Sequence, residues 1–91
     1  MSERLRVLIR GRVQGVGFRY ATVRQAEALG LTGWVRNTED GGVEAEFEGP
    51  RPRLEEALDW CRHGPAFSAV TKVDHEWASG PARFKDFRVR F

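Results

Sequence analysis

The chain has little of what most catalytic or metal sites are made from. It holds one cysteine, Cys61, and two histidines, His63 and His75. A single cysteine excludes an internal disulfide framework, and neither histidine stands near other ligand types at a zinc spacing. There is no Gly-Lys-Ser/Thr of a Walker loop, and no Cys–His pair or carboxylate dyad suggests itself as a nucleophile system. No apolar run approaches membrane-spanning length, and the N-terminus lacks the apolar stretch of a signal peptide. The expectation is a cytoplasmic protein with no membrane partner. Blocks of like charge are also missing. Fifteen basic and thirteen acidic residues are interspersed, for a net charge of +2. That argues against a basic stripe tracking a nucleic-acid backbone and fits a small anionic ligand better. Lysine is scarce: only Lys72 and Lys85 are lysines, so the other thirteen basic residues are arginine. Ninety-one residues, 41% of them apolar, suffice for one domain over 1–91 with a small core.

What the chain does have is glycine in a telling place. The stretch Arg10-Gly11-Arg12-Val13-Gln14-Gly15-Val16-Gly17-Phe18-Arg19-Tyr20 lies between an alternating apolar run and a helix-compatible run. Glycine serves where backbone takes positive φ or approaches something closely. A strand, a glycine turn and a helix start make backbone N–H groups converge, and such places bind anions, phosphate above all. Arg19, in the first helical turn, brings a fork-shaped cation to the same point. On this local pattern alone, a plain tight turn with a surface arginine is an equal reading.

The rest of the chain reads in order. Leu5, Val7 and Ile9 alternate with Arg6, Leu8 and Arg10, giving a strand over 4–13 with one buried face. A helix follows over 18–29, with Phe18, Ala21, Thr22, Gln25 and Leu29 on one side and Gly30 as its stop. Strands are predicted over 31–36 and 43–48, joined by an Asn37–Gly42 turn with strong hairpin chemistry. Leu54, Ala57, Leu58 and Cys61 form a helical stripe closed by Gly64-Pro65. A strand over 70–77, a Ser79-Gly80-Pro81 loop and a last strand over 84–91 complete the chain. Within this frame Cys61 reads as packing, His63 as a helix C-terminal residue, His75 as partly exposed, and the three tryptophans as core or rim. Arg36 reads as an exposed strand arginine.

The order βαββαβ plus a C-terminal strand is the ferredoxin-like, split β-α-β sandwich of the α+β class. Right-handed crossovers put both helices on one face of a mostly antiparallel sheet. The other face is left open, with arginines of the first strand opposite Glu44, Glu46 and Glu48. As exposed cross-strand pairs these are expected to contribute a few tenths of a kcal/mol each. An RNA-binding sheet of this topology shows aromatics there, not glutamates.

Two motifs then carry a resemblance. Gly11-Arg12-Val13-Gln14-Gly15-Val16-Gly17-Phe18-Arg19 resembles the signature loop of the acylphosphatase family. Gly33-Trp34-Val35-Arg36-Asn37, followed by Gly41, Val43 and Gly49, resembles that family's second signature at its expected spacing, and the likeness spans essentially the whole chain. The resemblance implies hydrolysis of the carboxyl–phosphate bond of acyl phosphates, without metal or cofactor. It implies that Arg19 binds the phosphate and that Asn37 holds the attacking water. The backbone N–H groups of Gln14, Gly15, Val16, Gly17, Phe18 and Arg19 are then the phosphate cradle. Inorganic phosphate is product and inhibitor, and the expected state is a monomer.

The chemistry is consistent with those residues. A carboxylate leaving group needs no strong general acid, and a loose phosphoryl-transfer transition state is served mainly by positioning and electrostatics. Asn37 does not titrate near neutrality, so it orients water rather than deprotonating it. It comes at the end of the second strand. If that strand runs parallel to the first, Asn37 and Arg19 share one edge of the sheet. Two other functions remain to be weighed: an anion-binding interaction module of the same fold without turnover, and, more weakly, an RNA-binding domain.

Overall fold

The computed structural model describes residues 2–91, so of the domain expected over 1–91 only Met1 lies outside the described residues. Its elements are β1 (Ser2–Arg12), α1 (Phe18–Ala28), β2 (Thr32–Asn37), β3 (Val43–Gly49), α2 (Arg51–His63), β4 (Ala69–Gly80) and β5 (Phe87–Arg90). The strands form one sheet in the order β4-β1-β3-β2-β5, antiparallel except where β5 joins β2. This is the expected ferredoxin-like α+β sandwich.

Period-2 alternation sorts the side chains between the two faces. Leu5, Val7 and Ile9 of β1, Val43, Ala45 and Phe47 of β3, and Val35 of β2 are all buried under the helices. From α2 the predicted stripe is buried in full: Leu54, Ala57, Leu58 and Cys61. Complete burial of one such leucine is worth about 1.5–3 kcal/mol. In α1 the buried residues are Phe18, Thr22 and Ala26, so Ala21 and Gln25 do not lead the packed face as expected. Phe18 sets the rotation. Its ring packs edge-on against Trp60 of α2, with centroids 5.5 Å apart, and residues four and eight further on follow it inward. The helix stops as predicted, with Gly30 at φ 69°, the Gly30 N–H on the Glu27 carbonyl and the Leu31 N–H on the Ala26 carbonyl.

Three expectations need correction. The strand expected over 70–77 runs from Ala69 to Gly80, because β1 begins at Ser2 and pairs it with Gly80. The last strand covers only Phe87–Arg90. Before it, the backbone N–H groups of Arg83 and Phe84 donate to the Glu48 carboxylate at 3.0 and 3.2 Å instead of to a ladder. Finally, the glutamates and Arg4 on the second face are not surface groups, although Arg6 and Arg36 stay about half exposed. Arg4 is 6% exposed and Glu48 4%. Arg4 donates to the Pro81 carbonyl and lies 3.5 Å from the Glu48 carboxylate. Glu44 takes hydrogen bonds from Arg6 Nε and Arg36 Nε, each at 2.8 Å. Stripping one partner from the Arg4–Glu48 pair, buried on both sides, leaves an uncompensated charge and costs about 3–5 kcal/mol, not tenths.

Burial works to raise the Glu44 pKa, but hydrogen bonds and charge from Arg6 and Arg36 outweigh it and hold the carboxyl below its ordinary 4.5. A depressed folded pKa means that this stabilisation is complete above the unfolded value and is lost as pH falls through the folded one. The urea midpoint of the wild type is therefore expected to fall from about pH 5 to about pH 3. A Glu44→Gln variant, weaker at neutral pH, is expected to fall less over the same range.

Candidate active site

β1 delivers the chain to the glycine loop. Val13, just beyond β1, is buried and anchors the loop's start, and buried Phe18 anchors its end. Between them Gly15 and Gly17 hold φ of 74° and 78°, where an L side chain is strained. Nothing lies within 4 Å of a Cβ built at either position, so conformation rather than crowding calls for glycine. Gly17 is the N-cap of α1, and the helix's first turn carries no acidic residue to offset its dipole. Among the described residues, no loop or backbone acceptor takes the N–H groups of residues 14–19. Six donors at a helix start therefore lack a protein partner.

The sheet brings the second motif to the same place. β1 and β2 both run antiparallel to β3, which lies between them, so they are parallel to each other. The condition for Asn37 to share an edge with Arg19 is thus met. Face matters as well as end. Asn37 is two residues beyond buried Val35, so its side chain points to the helix side of the sheet, where α1 begins. A cleft of about 100 Å³ results, lined by Val13, Gly15, Gly17, Phe18, Arg19, Tyr20 and Asn37.

Arg19 is half-buried, and among the described residues no carboxylate forms an ion pair with it. Its guanidinium carbon lies 5.4 Å from the centre of the Phe91 ring. It is a cation without a counter-charge in a cleft of unmatched donors. Of the residues singled out in the sequence, Gly15, Gly17, Phe18, Arg19 and Asn37 border the cleft. Gln14 and Val16 do not. Val16 packs against the core. The Gln14 amide turns to the β2–β3 hairpin and donates to the carbonyls of Thr38 and Gly42 at 2.7 and 2.8 Å. It therefore ties the glycine loop to the turn that follows Asn37. Sequence reasoning misses this tie, and it misses Tyr20 and Phe91. Tyr20 has a signal, since an aromatic beside Arg19 lies off the stripe set by Phe18, Thr22 and Ala26.

Larger grooves lie on the other face of the sheet. One of about 440 Å³ is lined by Arg6, Glu44, Asp74 and His75 among others, and one of about 480 Å³ by Arg36, Asp40 and Glu44 among others. The cations there are already engaged: Glu44 takes Arg6 and Arg36, and Asp40 takes Arg10. Hydrogen bonds from Arg10 and Thr38 hold the Asp40 carboxyl down to about 2. Among the described residues, no three His, Cys, Asp or Glu side chains come together as a metal site. Burial pushes the Cys61 thiol up to about 12, which removes it as a nucleophile. His63 caps its own helix, with Nδ1 2.9 Å from the Asp59 carbonyl oxygen, and His75 is exposed on β4.

Fold and cleft together define a small α+β sandwich with a cleft of unpartnered N–H donors and one arginine where the strand ends meet a helix start. The acylphosphatase family model matches residues 5–89. An acylphosphatase of Burkholderia thailandensis is 52% identical over 82 residues, covering 90% of this chain and 84% of that one. One from Trichormus variabilis is 52% identical over 96% of this chain and 85% of its own. The crystal structure of the Bacillus subtilis acylphosphatase superposes with a TM-score of 0.94 at 35% identity, covering 98% and 99% of the two chains. The chain belongs to the acylphosphatase family.

Proposed function

We propose that the cleft between the glycine loop and the β2–β3 hairpin holds the phosphoryl group of an acyl phosphate, and that Asn37 orients the water that attacks it. As a member of its family the chain is a hydrolase acting on acyl phosphates, with a carboxylate and phosphate as products. The observation that carries the site reading is the convergence of two separate motifs. Arg19 from one and Asn37 from the other line a single cleft with Gly15 and Gly17.

Arg19 and the N–H groups of the 14–19 loop that reach the cleft, with Gly15, Gly17, Phe18 and Arg19 on its border, hold the three peripheral phosphoryl oxygens. Water, held by the Asn37 amide, attacks phosphorus in line with the acyl oxygen. The new P–O bond forms as the P–O bond to the acyl group breaks, and the bonding pair leaves with the carboxylate. The water proton passes to a phosphoryl oxygen, since the cleft lining holds no histidine, cysteine or carboxylate to take it. Charge that gathers on the phosphoryl oxygens is met by donors already in place, which costs no reorganisation.

The same reading covers the remaining expectations. Glutamates engaged by arginines on the second face support a small-molecule enzyme rather than an RNA-binding sheet. One buried cysteine and a surface of mixed charge support a cytoplasmic monomer, built as one domain over 1–91. Hydrolysis of benzoyl phosphate with EDTA present tests the reading. Turnover with competitive inhibition by inorganic phosphate is the expected result. A folded protein without turnover that still binds phosphate would make the cleft a ligand site without chemistry.

A further inference from the structure

Three large apolar side chains stand exposed among the described residues: Tyr20 at 64%, Phe67 at 85% and Phe91 fully. Elsewhere the fold packs its aromatics, with Phe18, Phe47, Phe87 and Trp34 all buried. All three lie at one end of the sheet, Tyr20 and Phe91 beside the cleft and Phe67 by β4, the edge strand opposite β5. Tyr20 is in the first turn of α1 and lines the cleft. Phe91 follows Arg90, which pairs with Arg36 beside Asn37, and its ring faces the Arg19 guanidinium. Phe67 lies two residues before Ala69, which pairs with Arg12 at the mouth of the glycine loop. Phe67 is also the non-glycine residue with positive φ, 71°. A bulky side chain in that region is strained, and such strain clusters at functional sites.

Size sets what these rings can meet. The cleft is small, about 100 Å³, and its lining of Gly15, Gly17, Arg19 and Asn37 suits a phosphoryl group. An acyl group joined to that phosphoryl group extends toward the mouth, where Tyr20 lines the cleft and Phe91 faces Arg19. We propose that Tyr20 and Phe91 form an apolar rim that binds the acyl part of the substrate and favours aromatic or extended acyl groups over acetyl or carbamoyl. The proposal rests on the cleft holding the phosphoryl group. A flat ring offers an acyl group apolar area at little cost in side-chain entropy. Phe91 also lies against Arg19, so its removal would disturb phosphoryl binding as well, and Tyr20 is the residue that separates the two effects.

The experiment compares kcat/KM for benzoyl phosphate with that for acetyl phosphate in wild type, Tyr20→Ala and Tyr20→Phe. Wild type is expected to prefer benzoyl phosphate. Tyr20→Ala is expected to lower the benzoyl-to-acetyl ratio by about fivefold to tenfold, mostly through KM, as for loss of one aromatic contact. Tyr20→Phe is expected to keep the wild-type ratio, because the ring and not the hydroxyl makes the contact. A Tyr20→Ala ratio equal to wild type overturns the rim while leaving the cleft reading intact. So does a Tyr20→Phe ratio as low as that of the Ala variant. A folded wild type that hydrolyses neither acyl phosphate overturns the cleft reading, and the rim with it.

Discussion

Replacing Arg19 by Ala is expected to lower kcat/KM for an acyl phosphate by on the order of a thousandfold and to remove most competitive inhibition by inorganic phosphate. Arg19 is the one cation lining the cleft. Each hydrogen bond from a guanidinium to an anionic oxygen is worth about 1.5–3 kcal/mol, and a fork supplies two. Because the contact is to the phosphoryl group in ground and transition states alike, binding and turnover should fall together. The fold should tolerate the change, since Arg19 holds no carboxylate and Phe18 and Thr22, not Arg19, anchor α1. Arg19→Lys keeps the charge without the fork and should recover only part of the loss. Phosphate inhibition of Arg19→Ala at the wild-type constant would rule out the assigned contact, provided circular dichroism shows the helices intact.

Asn37→Ala is expected to behave differently. In the proposed role its amide positions water and not phosphate, so kcat should drop on the order of tenfold to a thousandfold while phosphate inhibition stays close to wild type. The backbone of Asn37 keeps its place opposite Val43 in the ladder, so the change is confined to the side chain. Asn37→Asp is a sharper probe. A carboxylate there faces the phosphoryl oxygens, and like charge should weaken phosphate binding as well as turnover. A parallel loss of phosphate affinity in Asn37→Ala would make Asn37 a binding residue and leave the water unassigned.

Much of this arrangement is legible in the amino-acid sequence, for particular physical reasons. The α2 stripe is readable because Leu54, Leu58 and Cys61 differ sharply from their charged neighbours. The face of α1 is not, because Ala21, Ala26, Thr22 and Gln25 differ little in apolar area. The contact of Phe18 with Trp60 decides which of them turns inward. The start of β5 is hidden because Phe84 fits a strand pattern, and only Glu48, far back in the chain, reveals that its N–H is used elsewhere. Similarly, Glu44 and Glu48 resemble surface charges because alternation tells which face a residue occupies, not what covers that face. Arg19 and Asn37 are singled out by the resemblance of two separated motifs to the acylphosphatase signatures, since the glycine pattern alone leaves a plain tight turn with a surface arginine as an equal reading. The Gln14 amide bonds span 24 and 28 residues, and no local pattern announces them.

Those two bonds bear on how the hairpin can change over evolutionary time. They grip the turn at Thr38 and Gly42, on either side of Glu39, Asp40 and Gly41. Asn37 lies on the inner side of the grip, and the tip lies beyond it. An insertion or substitution at the tip therefore meets a fixed base and leaves the Asn37 amide in place. The same change one residue earlier would shift Asn37 directly. Beyond the grip the tip is held by exposed contacts, chiefly Asp40 with Arg10, so a change there gives up a surface pair while the cleft keeps its dimensions.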